Sequence, residues 1–278
     1  MGDTVWLSSY PKSGNTWFRA VLTAWLRLGS GDMLTDLEDL RSEGIASWRG
    51  RLDGALGLVS TLLTDAEIAR LRPVADDVID AAGGERLPCK VHDAFRCGDS
   101  GMPAVSVAAT RGAVYVVRDP RDVAVSWAHH NGWTMERAVA VMNDAEFAVG
   151  GSSGGRQVVQ RLGRWSDHVV SWLDETPFDV HVVRYEDCVS DPVATFGSAL
   201  AFLGHRGTTE RLEAAVEATS FQRLRAIEDA VGFSERPPAS DRFFRRGRPG
   251  AWRDELPGPL AASLRGDHGD VMDRFRYR

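Results

Sequence analysis

The stretch TVWLSSYPKSGNTW, residues 4–17, decides the fold of this chain. Its first six residues, Thr4 to Ser9, form a mainly apolar run that stops at a turn, which predicts a short buried strand. A loop follows as far as Gly14, and in residues 15–28 the apolar side chains recur at helical spacing. A strand, a small-residue loop and a helix in this order bring backbone N–H groups and the positive end of a helix dipole to one point. The stretch therefore predicts a site for a phosphate or a sulfate ester.

The loop is not a Walker A motif, because it lacks the spacing Gly-x-x-x-x-Gly-Lys-Ser/Thr. It nevertheless offers a charge, hydroxyl groups and backbone donors at the start of a helix. The residues that offer them are Lys12, Ser13, Gly14, Asn15 and Thr16. A helix that is merely capped after a strand is the alternative explanation of the same pattern.

Lysine is rare in this sequence, and both lysines lie in short motif-like segments. Of the 33 Lys and Arg residues, only Lys12 and Lys90 are lysines. A composition of this kind uses arginine wherever either side chain serves. The two lysines are therefore candidates for places that need a compact ammonium group and not a planar guanidinium. Lys12 lies in the first loop, and Lys90 lies in LPCKVHD, residues 87–93, two residues before His92.

Length and composition describe an ordinary globular protein. The 278 residues suffice for one large domain, and 43% hydrophobic with 26% charged residues exclude the disordered and fibrous classes. The net charge of -6 argues against a nucleic-acid partner but leaves room for a small basic anion site. The three cysteines show no metal-ligand spacing, so free thiols are expected. Without a signal peptide or an apolar run of roughly 18 residues, we expect a cytoplasmic protein with no membrane partner.

Predicted strands alternate with predicted helices along the rest of the sequence. The strands are expected at residues 86–91, 113–117 and 179–184. The helices are expected at residues 62–79, 121–130, 156–175, 193–203 and 208–218, where the regular part closes. Alternation of this kind predicts a parallel sheet covered by helices on both faces. With no internal repeat and no evident boundary, we predict one α/β domain over residues 1–278.

A glycine-rich stretch, a stretch rich in Pro, Gly and Arg, and one strand-to-helix junction complete the pattern. Residues 150–155 indicate a loop tip, and residues 232–249 indicate an irregular arm that can fold over an anion. Arg118 leaves the end of a predicted strand, where ligands bind in open α/β sheets, and Ser126 lies one to two turns into the next helix. This pair can hold a phosphate, and the alternative is an ordinary junction with a surface salt bridge between Arg118 and Asp122.

A basic segment, FFRRGRPGAW, occupies residues 243–252. It places three arginines in four residues beside glycines, which suits bidentate contacts to a phosphate. Taken alone, a run of charges is more often a solvated surface. Its interpretation as a phosphate clamp therefore depends on the other segments.

Together and in this order, the segments resemble the PAPS-dependent sulfotransferases of the cytosolic small-molecule type, PAPS being 3′-phosphoadenosine 5′-phosphosulfate. The family's Tyr-Pro-Lys-Ser-Gly-Thr-Thr-Trp is matched by residues 10–17, with Asn15 for one threonine. Its arginine-to-serine segment is matched by residues 118–126, and its Arg-Lys-Gly-x-x-Gly-x-Trp by residues 245–252, with Arg246 for lysine and Ala251 for aspartate. Tyr-Glu-Asp at 185–187 and Thr-Ser-Phe at 219–221 extend the resemblance. It implies a P-loop-like three-layer α/β fold with a central parallel sheet flanked by helices.

The resemblance also implies that the chain binds PAPS and its product PAP. The implied donor-binding residues are Lys12, Ser13, Gly14, Asn15, Thr16, Trp17, Arg118, Ser126, Tyr185, Thr219, Phe221, Arg245, Arg246 and Gly247. Thr16 and the backbone of residues 13–16 would hold the 5′-phosphate, and Trp17 and Phe221 would enclose the adenine. Arg118, Ser126 and residues 245–247 would hold the 3′-phosphate.

The family's Lys-x-His motif is matched by Lys90, Val91 and His92, which implies that His92 is the general base. An imidazole suits this role because its ordinary pKa is near 6.5. By the same resemblance, Lys12 would stabilise the leaving oxygen and Lys90 would lie near the transferred sulfuryl group. No cluster of metal ligands is evident in the sequence, so no metal ion is expected and cationic side chains would stabilise the developing charge.

The implied acceptor is a hydroxyl group of a small molecule. Asn15 and the arginine-rich composition resemble bacterial sulfotransferases of natural product biosynthesis, such as those of glycopeptide antibiotics, which favours a phenol or alcohol of a secondary metabolite. Residues 30–86 and 129–160 are expected to build the acceptor pocket. The alternatives are a carbohydrate sulfotransferase, a nucleotide-dependent kinase and a non-catalytic PAP-binding protein. A homodimer stays open, because the dimerisation motif of the animal enzymes is not visible.

Overall fold

The structure, a computed structural model, describes residues 2–40, 42–84, 87–96, 102–151 and 155–278. Its strands are β1 (Thr4–Ser9), β2 (Cys89–Val91), β3 (Thr110–Val117), β4 (Ala148–Val149), β5 (Gln160–Arg161) and β6 (Asp179–Arg184). The main sheet has the strand order β2-β1-β3-β6 and is parallel, while β4 and β5 form an antiparallel pair. In the pairing of β1 with β2, Leu7 lies opposite Lys90. The predicted fold class, a parallel sheet flanked by helices, is confirmed.

Helices account for most of the remaining regular structure. They are α1 (Asn15–Leu28), α2 (Arg49–Leu56), α3 (Asp65–Ala81), α4 (Pro120–Asn131), α5 (Met135–Met142), α6 (Trp165–Leu173), α7 (Tyr185–Ser190), α8 (Pro192–Phe202), α9 (Thr209–Ala218), α10 (Phe221–Val231), α11 (Trp252–Glu255) and α12 (Gly258–Arg274). Within the ranges that the structure describes, every helix falls short of the length and apolar content that a membrane crossing requires.

Two of the predicted boundaries were wrong. Residues 156–175 were expected to be one helix, but only Trp165–Leu173 is helical. The residues before it include β5, and Gly163 has a left-handed φ of +60°, which interrupts a helix. The regular structure was also expected to close near residue 218, whereas α10 and α12 follow. Of the predicted loop tip at 150–155, residues 152–154 lie outside the described residues.

The cysteines agree with their predicted state as far as they are described. Cys89 and Cys188 are buried free thiols. Burial raises the pKa of Cys89 to about 12, which keeps its thiol protonated and unreactive. Cys97 lies outside the described residues.

The chain divides into two compact units, and each is assembled from three separate stretches. The first unit contains Met1–Tyr10, Ser42–Tyr115 and Val141–His181. The second unit contains Pro11–Arg41, Val116–Ala140 and Val182–Arg278. The single domain over residues 1–278 that the sequence favours stays a prediction.

The first unit holds a buried ion pair beside the end of β2. The guanidinium of Arg72, on α3, donates to both carboxylate oxygens of Asp93, at 2.8 and 2.7 Å. The backbone N–H of Arg161 also donates to Asp93 at 3.1 Å, and the indole of Trp172 donates to the Asp93 carbonyl at 2.9 Å. Because breaking a buried pair leaves an uncompensated charge, this network fixes the chain directly after His92.

A buried histidine also contacts the segment that contains His92. His168, on α6, is 0% exposed. The Tyr115 hydroxyl lies 2.8 Å from its Nδ1, and its Nε2 lies 3.0 Å from the carbonyl oxygen of His92. A carbonyl only accepts, so Nε2 carries the proton and Nδ1 accepts from the tyrosine. Burial lowers the pKa of His168 from 6.5 to about 4, and the ring is neutral near physiological pH.

The second unit is built around α1. This helix packs against α8 and α9, while α4 packs against α11 and α12. An apolar cluster combines buried residues of α1, of the stretch after α1, of α10 and of the stretch after α10 with one residue of the basic segment at 243–252, hereafter the basic arm. These residues are Ala20, Leu34, Leu37, Leu40, Leu224, Phe233 and Phe244. Trp17, Phe221 and Phe243 pack against this cluster while staying partly exposed. Aromatic rings are thus held at the surface of this core.

We predict that His168 makes the folded state sensitive to acid. Because the folded protein keeps this ring neutral, the unfolded chain binds one more proton as the pH falls from 6.5 to about 4. The stability contributed by the neutral ring is therefore complete above pH 6.5 and is lost below it. We expect a loss of about 2 kcal/mol in the free energy of unfolding between about pH 7 and about pH 5.

Denaturant unfolding at the two pH values measures this loss. His168→Gln has no titrating ring, so its loss on acidification should be smaller by about 2 kcal/mol. His205→Gln, which removes a histidine packed on Trp25, serves as the control and should behave as the wild-type protein. Equal losses in His168→Gln and the wild-type protein would contradict the prediction.

Candidate active site

The loop between β1 and α1 has an unusual backbone. Lys12 has a φ of +69° and Gly14 a φ of +112°. A Cβ at Gly14 would lie 2.7 Å from the ring of Tyr185, so the position requires glycine for space as well as for conformation. Gly14 is the N-cap of α1, and no side chain caps the helix. The first N–H groups of α1 are therefore not satisfied by a capping side chain, which is the arrangement that binds anions.

The polar side chains of this loop are largely buried. Ser13 is 0% exposed, and its hydroxyl has no hydrogen-bond partner among the described residues. Asn15 is also buried. The Thr16 hydroxyl donates to the carboxylate of Glu235 at 3.4 Å, and Arg19 donates to the same carboxylate at 2.6 Å. A carboxylate thus lies at the first turn of α1.

Lys12 contacts two rings. Its Nζ lies 3.1 Å from Nδ1 of His130 and 4.1 Å from the centroid of the Phe243 ring. The rings of His130 and Phe243 meet edge to face at 5.8 Å. A compact ammonium gains both a hydrogen bond and a cation–π contact in this arrangement.

Arg118 lies directly after β3, as predicted, and it stacks on Tyr185. Its guanidinium carbon lies 4.2 Å from the ring centroid, and its Nη1 donates to the carbonyl of Lys12 at 3.3 Å. The Arg118 to Asp122 pair, which was the alternative explanation of this junction, has a separation of 4.0 Å. The guanidinium therefore supports the loop between β1 and α1 directly. Ser126 lies in the second turn of α4 and is half-buried.

Two buried carboxylates hold the basic arm at both ends. Glu228, on α10, accepts the backbone N–H groups of Phe243 and Phe244, at 2.6 and 3.0 Å. Asp122, on α4, accepts those of Gly250 and Trp252, at 2.6 and 2.9 Å. Both carboxylates are almost fully buried, at 3% and 2% exposure. The arginines between these anchors therefore project from a fixed backbone.

The clamp arginines themselves are paired with acidic side chains. Arg245 donates to both oxygens of Glu255, at 3.0 Å each, and Arg246 Nε lies 3.0 Å from the same carboxylate. Nη1 of Arg246 lies 3.4 Å from Asp254, with which Arg248 also pairs. The structure thus pairs these guanidinium groups with two carboxylates, Asp254 and Glu255, that sequence reasoning did not assign.

The predicted adenine-binding residues lie on one apolar cluster. Trp17 and Phe221 both pack against it, and the Trp17 indole donates to the carbonyl of Thr219 at 3.0 Å. The Thr219 side chain is buried and donates to the carbonyl of Ala215 at 2.8 Å. Gly247, with a φ of +61°, lies so close to Phe221 that a Cβ would meet the ring at 2.1 Å. These aromatic residues and the clamp therefore share one surface of the second unit.

Lys90 and His92 belong to the first unit. Lys90 is buried in β2, at 8% exposure. Nδ1 of His92 lies 2.8 Å from the carbonyl oxygen of Ser9, the last residue of β1. A carbonyl cannot donate, so Nδ1 carries the proton and Nε2 keeps its lone pair. This is the tautomer that a base acting through Nε2 needs.

Sequence reasoning identified the residues with charge and hydroxyl groups but missed those that orient them. Glu228, Asp122, Glu255 and His168 were not assigned, although Asp122 was considered as a salt-bridge partner. Their roles depend on contacts between distant segments, and no local pattern distinguishes them from surface carboxylates or a core histidine. The short spacing from Arg118 to Asp122 indicated an ion pair, which is present at 4.0 Å, but it gave no sign that Asp122 also accepts the backbone N–H groups of Gly250 and Trp252.

Comparisons with known proteins agree with this geometry. Residues 109–275 match the family described as Sulfotransferase domain. A flavonol 3-sulfotransferase of Flaveria bidentis is 25% identical over 266 residues, which cover 91% of this chain and 76% of that protein. Cytosolic sulfotransferase 16 of Arabidopsis thaliana is 29% identical over 177 residues, which cover 59% of this chain and 50% of that protein. The crystal structure of retinol dehydratase with androsterone and PAP has a TM-score of 0.62 at 20% identity, covering 97% of this chain and 80% of that one.

The family match covers more than half of the chain, and the structural likeness shows the same P-loop-like fold. The loop after β1, the arginine after β3 and the basic arm lie where the sequence resemblance expects them. The chain belongs to the PAPS-dependent sulfotransferase family, whose members are sulfuryl transferases.

Proposed function

We propose that this enzyme transfers the sulfuryl group of PAPS to the hydroxyl of a phenol or alcohol of a small-molecule secondary metabolite, with His92 as the general base. The observation that carries the base assignment is the hydrogen bond between His92 Nδ1 and the Ser9 carbonyl, at 2.8 Å. It fixes the ring and engages the protonated nitrogen with the backbone. Nε2 can then accept the acceptor's proton.

The residues of the second unit fit a nucleotide that carries two phosphate groups. The Ser13 hydroxyl is buried without a hydrogen-bond partner among the described residues, beside a helix start without a capping side chain. Gly247 leaves no room for a side chain against Phe221, so its backbone lies directly against this ring. Buried polar groups without partners and close backbone approaches are typical of ligand sites.

The proposed donor site assigns each of these groups a part of the nucleotide. Lys12, Ser13, Gly14, Asn15 and Thr16 would hold the 5′-phosphate at the start of α1. Trp17 and Phe221 would enclose the adenine, with Tyr185 and Thr219 supporting them. Arg118, Ser126, Arg245, Arg246 and Gly247 would hold the 3′-phosphate. PAPS would supply the activated sulfuryl group, and no metal ion is needed in this proposal.

Lys12 and Lys90 are proposed to stabilise developing negative charge. In sulfuryl transfer, as in phosphoryl transfer, charge grows on the leaving oxygen and spreads over the equatorial oxygens of the group in flight. We assign Lys12 to the leaving oxygen and Lys90 to the sulfuryl oxygens, following the sequence resemblance. A desolvated ammonium is effective in this role because its field is little screened. Lys90 meets this condition, being 8% exposed.

The class of acceptor rests on relatives and on composition. The Flaveria bidentis relative is named for a flavonol, and the retinol dehydratase structure contains androsterone. Both of these compounds carry hydroxyl groups, which supports a hydroxyl acceptor for this chain. The preference for a secondary metabolite over a carbohydrate rests on the resemblance of Asn15 and the arginine-rich composition to bacterial sulfotransferases of natural product biosynthesis. The cytosolic name of the Arabidopsis relative supports action in the cytoplasm.

The 3′-phosphate should distinguish the donor from other adenine nucleotides. We predict that PAP binds the wild-type protein much more tightly than ADP in calorimetry without added metal. Arg246→Ala should weaken PAP binding by roughly tenfold to a hundredfold and leave ADP binding unchanged, because a charge-assisted contact to a phosphate contributes about 1.5–3 kcal/mol.

Arg265→Ala is the matched control, because Arg265 pairs with Asp273 at 2.7 Å on α12 and belongs to no proposed site. This variant should bind PAP like the wild-type protein. Equal affinities of the wild-type protein for PAP and ADP would contradict the 3′-phosphate clamp and favour a nucleotide-dependent kinase.

Gly247→Ala should impair the donor site through Phe221. A new Cβ would meet this ring at 2.1 Å, so the ring has to leave the position proposed for adenine binding. We expect PAP binding to weaken on the order of tenfold, or about 1.4 kcal/mol. Gly57→Ala is the control, because Gly57 has nearly the same φ, +63°, but nothing within 4 Å of its Cβ. Both variants should lose roughly 1 kcal/mol of stability from the left-handed conformation, but unchanged PAP binding in Gly247→Ala would refute the steric argument.

His92→Gln should abolish most turnover without weakening donor binding. Loss of a general base costs roughly a hundredfold to ten-thousandfold in kcat. The assay uses naphthol as a simple phenol acceptor with radiolabelled PAPS, alongside PAP binding by calorimetry. His205→Gln serves as the control for removal of a histidine and should keep its turnover. Near-normal kcat in His92→Gln would rule out His92 as the base.

A further inference from the structure

A single carboxylate, that of Glu255, gathers three basic side chains at the clamp. Its two oxygens accept both Nη groups of Arg245 at 3.0 Å and contact Nε of Arg246 at 3.0 Å. Nε2 of His129, on α4, lies 2.7 Å from the same group. The Glu255 side chain is 14% exposed. This is the coordination that a bound phosphate would have, supplied here by the protein itself.

The carboxylate is ionised in this environment. Burial alone would raise the pKa of Glu255, but hydrogen bonds from Arg245 and His129 outweigh it, and the pKa lies below its ordinary value. Glu255 therefore carries a full negative charge beside Arg245 and Arg246.

The arm does not need Glu255 to keep its path. Its backbone is held at residues 243 and 244 by Glu228 and at residues 250 and 252 by Asp122. These four hydrogen bonds involve main-chain N–H groups and do not depend on the side chain of Glu255. The ion pairs of Glu255 act instead on the guanidinium groups, which are the groups proposed to meet the donor.

A carboxylate and a phosphate compete for the same guanidinium donors. Arg245 directs both of its Nη groups at Glu255, and Arg246 directs Nε at Glu255 and Nη1 at Asp254. A phosphate that binds these arginines has to displace the carboxylate or share its donors while two negative charges lie close together. Either route lowers the affinity for the phosphate.

We propose that Glu255 is an internal counter-ion that competes with the 3′-phosphate of the nucleotide for Arg245 and Arg246 and thereby limits how tightly the enzyme holds PAPS and PAP. The inference rests on the proposed assignment of these two arginines to the 3′-phosphate. It makes Glu255 a determinant of donor affinity that acts through the clamp and does not touch the reacting atoms. In the absence of nucleotide it also holds the two clamp arginines together and offsets part of their charge.

The test compares nucleotide binding in variants of the full chain by calorimetry at low ionic strength. Glu255→Gln keeps the size of the side chain and removes its charge. We expect PAP to bind this variant about tenfold more tightly than it binds the wild-type protein, which corresponds to about 1.4 kcal/mol. AMP, which has no 3′-phosphate, should bind both proteins equally. The gain for PAP should shrink as salt is added.

Two further variants separate charge from structure. Glu255→Asp keeps the charge on a shorter side chain and should not tighten PAP binding as the glutamine variant does. Asp273→Asn removes a carboxylate from the Arg265 ion pair on α12 and should leave PAP binding unchanged. Thermal unfolding of each variant verifies that the chain is folded.

The outcomes distinguish this inference from the proposed function. If Arg245→Ala weakens PAP binding while Glu255→Gln leaves it unchanged or weakens it, the clamp stands and competition by Glu255 is refuted. If Arg245→Ala does not change PAP binding, the clamp itself is wrong, and the inference fails with it. Tighter PAP binding in Glu255→Gln, together with weaker binding in Arg245→Ala, supports both.

Discussion

The second unit depends on two buried carboxylates that bind the backbone of one irregular segment. Glu228 and Asp122 each accept two main-chain N–H groups of the arm, at residues 243 and 244 and at residues 250 and 252. The segment has no regular structure to satisfy its own donors, so without these acceptors it would expose unpaired N–H groups or move away from α4 and α10. Charge-assisted bonds of this kind are stronger than neutral ones and tie the arm at two points. The positions of the clamp arginines depend on this attachment of the backbone.

Because the backbone of the arm is fixed, its arginine side chains are held close together and repel one another. Arg245, Arg246 and Arg248 lie within four residues, and their mutual repulsion has to be compensated when no anion is bound. Asp254 and Glu255 provide the compensation from α11, the short helix directly after the arm. Glu235 has a related position at the first turn of α1, where Thr16 donates to it. Both regions proposed to bind phosphate thus carry carboxylates of the protein. In this proposal, nucleotide affinity depends on the competition between these carboxylates and the phosphate groups for the same donors.

The sequence predicts a feature of this structure well when neighbouring residues determine it, and poorly when contacts between distant segments do. The strand, loop and helix of residues 4–28 were predicted to their boundaries because the signal is local and continuous, and β6 was predicted for the same reason. Helix α12 was missed because only Leu264, His268 and Met272 of its residues are buried, a stripe too thin to give a clear period. The chemical groups of the site could be named from motifs. Their partners could not, since Glu255, Glu228 and His168 act through contacts that no local pattern encodes.

The rarity of lysine pointed to Lys12, and the structure gives a physical reason for a lysine there. This rarity indicated places where arginine does not serve, and the surroundings of Lys12 show why. Its Nζ lies against the Phe243 ring and beside Nδ1 of His130, in a space that a point-like ammonium occupies more easily than a planar fork. The backbone of Lys12 is itself left-handed, a conformation with a steric cost for any residue but glycine. A lysine in this conformation contributes charge and reach more than packing, and this is a further reason for proposing it at the leaving oxygen.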